Sequence, residues 1–131
     1  MTRSELRKQI MTILYQINVY ETNKIEYDTN DIIKFISPIE NEFVKDIVYG
    51  VITYKENLDE LANKYLDGWQ INRLGNHDQA ILRMGIYELV YYDDTPDIVV
   101  INEAVELAKE YSDDSVRKMI NGVLDKIYNN K

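Results

Sequence analysis

The residues that could contact a nucleic acid lie near the two ends of the sequence. At 100° per residue, one sector of the first helical segment, away from the centre of its apolar face, holds Arg7, Lys8, Met11 and Tyr15, and Arg3 lies one turn earlier. Cations can contact phosphates, and an aromatic ring among them can stack on a base. The pattern predicts an RNA-contacting stripe, although a solvated charged face with Tyr15 at its rim would have the same sequence.

The last helical segment carries a second polar group. Arg117, Lys118 and Asn121 lie on adjacent faces, and Arg117 and Asn121 are one turn apart, so they point the same way. Asn121 could form hydrogen bonds with a base edge. It could equally satisfy backbone groups at a helix junction beside Gly122, and the sequence leaves both interpretations open.

The residue types do not favour a catalytic site or a metal site. His77, the single histidine, has Asp78 beside it but no recognisable nucleophile, so we interpret it as a structural or surface residue. The acidic face formed by Glu103, Glu106 and Glu110 lacks His or Cys and is interpreted as solvated. The sequence has no cysteine and no glycine-rich phosphate loop. We therefore expect a protein that is not an enzyme and that needs no cofactor or metal.

Length and composition predict one globular domain in the cytoplasm. The chain has 131 residues, of which 45% are hydrophobic, enough to form a core. The longest unbroken aliphatic run, residues 98–101, is far too short to cross a membrane. The first residues lack the apolar stretch of a signal peptide, so a cytoplasmic location is expected.

The distribution of charge is more informative than the net charge of −8. Residues 1–16 and residues 114–131 each carry a charge of +2, whereas residues 17–113 carry −12. A polyanion would be repelled by the middle of the chain and accepted only where the two ends meet. A basic protein would instead be attracted to the middle.

Apolar spacing predicts an all-α fold of about seven helices. Ser37, Pro38 and Glu40 have the pattern of a capping box and are expected to start a helix, as are Asn57 and Glu60. Gly68 is expected to end a helix. The predicted helices cover about residues 4–20, a short segment ending before residue 38, and residues 38–52, 57–67, 77–92, 99–111 and 114–128.

Three sequence blocks together resemble the NusB family. They are LYQ at residues 14–16, AILRMGIYEL at 80–89 followed by VINEAVELAK at 100–109, and NGVLDKI at 121–127. Their order and spacing span almost the whole chain. The series is specific, whereas any one block alone would be weak.

The resemblance implies a compact bundle of two packed helical subdomains, about 1–56 and 57–131, forming a single RNA-binding domain. It implies binding of boxA RNA, a heterodimer with NusE, which is also a ribosomal protein, and assembly into the antitermination complex of RNA polymerase. The positions that match the family's RNA contacts are Arg3, Arg7, Lys8, Tyr15, Arg117 and Lys118. Glu88, in the acidic middle, is a candidate NusE contact, or it pairs with a cation at the rim of the core.

The first segment has few cations, because it contains only Arg3, Arg7 and Lys8, with Glu5 among them. Neutralisation of about three phosphates would give a single-strand salt slope of only about −2. We therefore expect weak RNA binding that NusE strengthens. The alternatives are a protein-only helical adaptor and a NusB-like domain related to ribosomal RNA cytosine methyltransferases.

Overall fold

The computed structural model describes all residues from 1 to 131 and contains helices but no strand. The all-α prediction with seven α-helices is therefore confirmed, with one additional 3₁₀ turn at Ile71–Arg73. The α-helices are α1 (Arg3–Thr22), α2 (Thr29–Ile36), α3 (Glu42–Thr53), α4 (Lys55–Tyr65), α5 (Asn76–Val90), α6 (Asp97–Tyr111) and α7 (Asp114–Asn129).

Helix α5 occupies the centre of the bundle. Every residue from 79 to 89 is buried, and the helix packs against α1, α3, α4, α6 and α7. This explains why its sequence is apolar nearly all round. Gly85 allows α7 to approach closely, because a Cβ atom at this position would lie 3.2 Å from Cδ1 of Leu124.

Helix α1 runs antiparallel to α5. The side chain of Arg7, near the start of α1, meets Glu88 near the end of α5. The amide of Asn18, near the end of α1, meets Gln79 near the start of α5. Because α1 also packs against α2 and α3, its buried residues cover a wider sector than the apolar stripe alone predicts.

Two predicted helix starts are wrong. Helix α3 begins at Glu42 rather than at Pro38, because the side chain of Asn41 accepts a hydrogen bond from the Val44 backbone at 3.1 Å and caps the helix. Ser37 is instead buried at the end of α2, where its backbone N–H donates to Ile33 at 2.7 Å. Glu40 forms an ion pair with Lys45.

Helix α4 likewise begins at Lys55 rather than at Asn57, because it follows α3 with only Tyr54 between them. Gly68 lies beyond the end of α4 at Tyr65, in a turn where it adopts a left-handed φ of 77°. The other predicted helices differ from the structure by a few residues at their ends.

At the far end of the chain, Lys131 joins the end of α5 to the start of α6. Its ammonium donates to the Leu89 carbonyl at 2.7 Å and pairs with Asp97 at 2.8 Å. One cluster of 34 buried hydrophobic residues runs through both halves of the chain. The division into subdomains at about residue 56 stays a prediction. None of the helices combines the length and the apolar character that a membrane span requires.

Candidate nucleic-acid interface

Three aromatic rings from three helices form a continuous stack, which we call the histidine cluster: Tyr15, His77 and Tyr111. The rings of Tyr15 and His77 lie 4.2 Å apart with an interplanar angle of 18°. The rings of His77 and Tyr111 lie 5.2 Å apart at 19°. Tyr111 is 38% exposed, and the other two are half-buried. The stack therefore presents an aromatic surface to solvent.

The local structure at the start of α5 holds this cluster together. Asp78 accepts a hydrogen bond from the Gly75 backbone at 3.1 Å and another from the hydroxyl of Ser112, just after α6. The start of α5 is thereby tied to the end of α6. Helix α7 starts three residues after Tyr111, and Asp113 caps it through the Val116 backbone at 3.0 Å.

Lys8 lies close to the histidine cluster. It precedes Tyr15 by two turns on the same face of α1, and its ammonium lies 2.9 Å from a carboxylate oxygen of Glu110, the neighbour of Tyr111. The hydrogen bond to Glu110 raises the pKa of Lys8. Both side chains of this pair are about half exposed. Lys8 and Tyr15 therefore meet the last turn of α6, from which the chain continues into α7.

The three predicted RNA contacts of α7, namely Arg117, Lys118 and Asn121, lie in the first half of that helix. Lys118 and Asn121 are exposed, and neither side chain forms a hydrogen bond within the protein. Arg117 is 26% exposed and lies 3.5 Å from Asp114, while its Nε is buried without a hydrogen-bond partner. The structure thus places part of the N-terminal basic segment and the start of α7 at the same end of α6.

Arg3 lies elsewhere, at the other end of α5. Its guanidinium is 2.9 Å from Asp94, in the turn after α5, and its Cζ lies 3.9 Å from the centre of the Phe43 ring. The side chain is 48% exposed, so it can still reach a ligand. It does not, however, contribute to the histidine cluster.

The expected surface position of Arg7 is wrong. Arg7 is only 2% exposed, and its Nε and Nη2 donate to the two carboxylate oxygens of Glu88 at 2.9 and 2.8 Å. Burial alone would lower the pKa of Arg7, but the hydrogen bonds and charge of Glu88 outweigh it and the pKa is raised. Met11, placed in the same stripe, is fully buried. Both residues face neighbouring helices, because α1 is covered on more than one side.

The same ion pair removes Glu88 as a surface contact for a partner. The sequence left two interpretations of Glu88 open, a NusE contact or a pair with a cation at the rim of the core. Glu88 is 2% exposed and pairs with Arg7, which agrees with the second. A bidentate pair of this kind fixes two helices in register. The role of Arg7 and Glu88 is therefore to position α1 on α5.

His77 and Tyr111 are the residues that the sequence did not assign to the interface. No short sequence pattern contains both residues, because His77 lies near the start of α5 and Tyr111 lies at the end of α6. They meet only because these two helices are antiparallel. The acidic face on α6 is engaged by its neighbours: Glu103 by Ser4, Glu106 by Lys109 and Glu110 by Lys8. No group of three or more metal-ligating side chains is arranged to hold an ion.

Sequence comparisons extend over nearly the whole chain. The model of the NusB family matches residues 4–129. The transcription antitermination protein NusB of Bacillus velezensis is 40% identical over 129 residues, covering 97% of this chain and 95% of that protein. The protein of the same name from Macrococcus caseolyticus is 41% identical over 133 residues, covering 100% of this chain and 99% of that protein.

Solved structures show the same fold. A crystal structure of antitermination factors NusB and NusE in complex with dsRNA contains a chain that is 26% identical, with a TM-score of 0.83 and coverage of 98% of this chain and 97% of that one. NusB of T. maritima is 30% identical, with a TM-score of 0.83 and coverage of 98% and 92%. The likeness therefore holds in sequence and in three dimensions.

Proposed function

The chain belongs to the NusB family, and we propose on that basis that it is a transcription antitermination factor that binds boxA RNA together with NusE. It helps RNA polymerase to read through terminators, notably in ribosomal RNA operons. The observation that carries this proposal is the end-to-end similarity to proteins named for antitermination. A structural neighbour has NusE and RNA bound in one complex, which supports both partners.

The histidine cluster is the part of the surface that suits RNA. Base stacking on aromatic side chains tolerates many sequences, because every base has a π face. Lys8 and Lys118 can contact phosphates beside the rings, and Asn121 is free to form hydrogen bonds with a base edge. We therefore assign the RNA contacts to Lys8, Tyr15, Arg117, Lys118 and Asn121, with His77 and Tyr111 added and Arg3 at the periphery.

Of the four cations assigned to RNA, three are already engaged within the protein, and only Lys118 forms no ion pair. Lys8 pairs with Glu110, Arg117 with Asp114, and Arg3 with Asp94. A phosphate must compete with each of these carboxylates, and the net charge of −8 opposes binding further. This supports weak RNA binding by the protein alone and stronger binding with NusE.

The ion pairs of Arg3, Lys8 and Arg117 with carboxylates also favour a second candidate function, a protein-only adaptor that has lost RNA binding. The relation to cytosine methyltransferases has no comparable support, because the relatives that match end to end carry antitermination names. We further propose that the protein catalyses no reaction and acts in the cytoplasm, where transcription takes place.

Titration of boxA RNA with and without NusE, at two salt concentrations, tests the proposal. We expect specific binding over a scrambled RNA, a clear gain with NusE, and a salt slope of about −2 for the protein alone. Lys8→Glu should abolish binding, whereas Lys24→Glu, in the exposed loop after α1, is the control with the same change of charge. Equal affinity for boxA and scrambled RNA in the presence of NusE would overturn boxA recognition, and no measurable binding of either RNA would leave the protein-only adaptor.

A further inference from the structure

A cavity of about 160 Å³ lies between helices α1, α3, α4 and α5. Its wall is mainly aliphatic and is formed by Leu14, Ile17, Val51, Ile52 and Ala80. All of these side chains are buried except Ile52, which is 36% exposed and marks the side of the cavity that faces solvent. A cavity of this size accommodates one six-membered ring, because an apolar cavity of about 150 Å³ binds benzene.

Helix α3 is packed differently on its two sides. On one side the Tyr87 ring of α5 lies against Gly50, so closely that a Cβ atom at position 50 would collide with it. This contact keeps α3 from approaching α5 any further. On the other side, Val51 and Ile52 line the cavity. The space between α3 and α1 is therefore kept open by the packing of the helices around it.

The cavity wall also contains a buried guanidinium. Arg83 is 6% exposed and lines the cavity together with Asn18. Its Nε and Nη2 donate to Asp59 at 2.7 and 3.0 Å, whereas the only acceptor for Nη1 is Oδ1 of Asn18, at 3.5 Å. Because Nη1 carries two N–H groups, at least one of them has no acceptor within the protein. A ligand oxygen placed there would satisfy a donor that is costly to leave buried without a partner.

The charges around the cavity cancel one another. Arg83 is paired with Asp59, and Lys55 lies 4.0 Å from Glu21, with both of these last side chains partly exposed. The Tyr27 hydroxyl, which also lines the cavity, donates to Glu21 at 3.1 Å. An anion beside Arg83 would also meet the negative charge of Asp59. The surroundings therefore favour an uncharged acceptor over an anion.

We propose that this cavity binds a small neutral ring compound that carries a carbonyl oxygen. The ring packs on the aliphatic wall, and the oxygen accepts a hydrogen bond from Nη1 of Arg83. The residues of the cavity do not overlap with the assigned RNA contacts, so this site is independent of the proposed function. A ligand that binds only the folded protein also stabilises it.

Benzamide is a suitable probe, because it joins a six-membered ring to an uncharged carbonyl group. In an NMR titration of the isotope-labelled full-length protein, we expect saturable binding and NOEs from the benzamide ring protons to the methyl groups of Leu14, Ile17 and Val51. Toluene lacks the oxygen, and benzoate carries a charge that Asp59 repels. Each should bind at least about tenfold more weakly than benzamide.

Two variants test the location of the site. Ala80→Leu adds side-chain volume inside the cavity, and Ile52→Trp covers its exposed side. Each should weaken benzamide binding at least about tenfold, because the space for the ring is lost. Ile98→Trp, the same change at an exposed isoleucine of α6, is the matched control and should bind benzamide within about twofold of the wild type. The melting temperature of each variant without ligand shows that it is folded, and Ile52→Trp carries the test if Ala80→Leu is not.

Each other outcome counts against the proposal. The absence of saturable benzamide binding, or NOEs only to residues outside the cavity, would overturn the site. Undiminished binding by a folded Ile52→Trp protein would overturn it as well. Tighter binding of benzoate than of benzamide would overturn the neutral ligand class. None of these results concerns RNA or NusE, so the proposed function would stand in every case.

Discussion

The two ends of α5 carry aromatic clusters of similar size with opposite surroundings. At its start, Tyr15, His77 and Tyr111 lie among the cations of α1 and α7. At its end, the rings of Tyr54, Tyr87 and Tyr92 line a groove together with Glu42 and Asp46. Rings at either end could stack on a base or on a guanidinium. Neighbouring charge, rather than ring type, is therefore what distinguishes the two ends.

Polar contacts between α1 and α5 keep these two ends in a fixed relation. Arg7 pairs with Glu88 near one end, and Asn18 accepts a weak hydrogen bond from Arg83 at 3.5 Å near the other. Arg83 also forms a bidentate pair with Asp59 of α4 at 2.7 and 3.0 Å. A shift of α1 by one turn along α5 would break these contacts together, so the positions of Lys8 and Tyr15 depend on them.

The greatest loss of stability is expected where α1 is fixed to the end of α5. Glu88→Ala leaves the buried Arg7 guanidinium without its partner and should lower the free energy of unfolding by about 3–5 kcal/mol. Chemical denaturation measures this change. Glu106→Ala, which removes an exposed carboxylate paired with Lys109 on α6, should have little effect. A Glu88→Ala protein as stable as the wild type would show that the pair does not fix α1.

The ring of Tyr15 can be tested on its own at the basic end of α5. Tyr15→Ala removes one ring of the histidine cluster and should weaken boxA RNA binding by about 1–3 kcal/mol, the range for loss of a base-stacking side chain. Tyr15→Phe keeps the ring and should bind RNA nearly as well as the wild type. A Tyr15→Ala protein that binds boxA RNA as tightly as the wild type would show that this ring does not stack on a base.

A smaller effect concerns the carboxylates that compete with RNA. Glu110→Gln frees Lys8 and should raise RNA affinity about two- to fivefold at low salt, with the gain shrinking as salt is added. Glu106→Gln changes the net charge equally on the same helix, but its carboxylate pairs with Lys109 instead of Lys8. An identical gain for both variants would indicate a general charge effect rather than release of Lys8.

A small pH dependence of stability is expected at the start of α7, where Asp113 caps the helix that carries Arg117. A hydrogen bond from the Val116 backbone lowers the pKa of Asp113 below its usual value of 3.8. The ionised carboxylate therefore stabilises the folded protein above that value, and the contribution is lost as the pH falls through the lowered pKa. The melting temperature of the wild type should exceed that of Asp113→Asn at pH 7, and the difference should vanish in strong acid. A difference independent of pH would contradict this origin.

The sequence predicted the helices better than the surfaces. Helical spacing located all seven helices, because apolar periodicity is a local property. The start of α3 depended on which capping side chain the packed chain selects, and α4 starts without a side-chain cap, directly after α3. Burial of Arg7 and Met11 could not be derived from α1 alone, since it follows from α3 and α5 packing on a second side of that helix. His77 and Tyr111 meet across 34 residues, so their stacking required the antiparallel pairing of α5 and α6.

The contact between Gly50 and Tyr87 has a consequence for the divergence of this chain. A Cβ atom at position 50 would lie 2.1 Å from Cζ of Tyr87, so a side chain there would collide with the ring. A lineage that gains a side chain at position 50 must therefore either turn the Tyr87 ring aside or accept a smaller residue at position 87. The two positions should change as a pair among descendants, and a descendant with both a large residue at 50 and a tyrosine at 87 should have lost the groove.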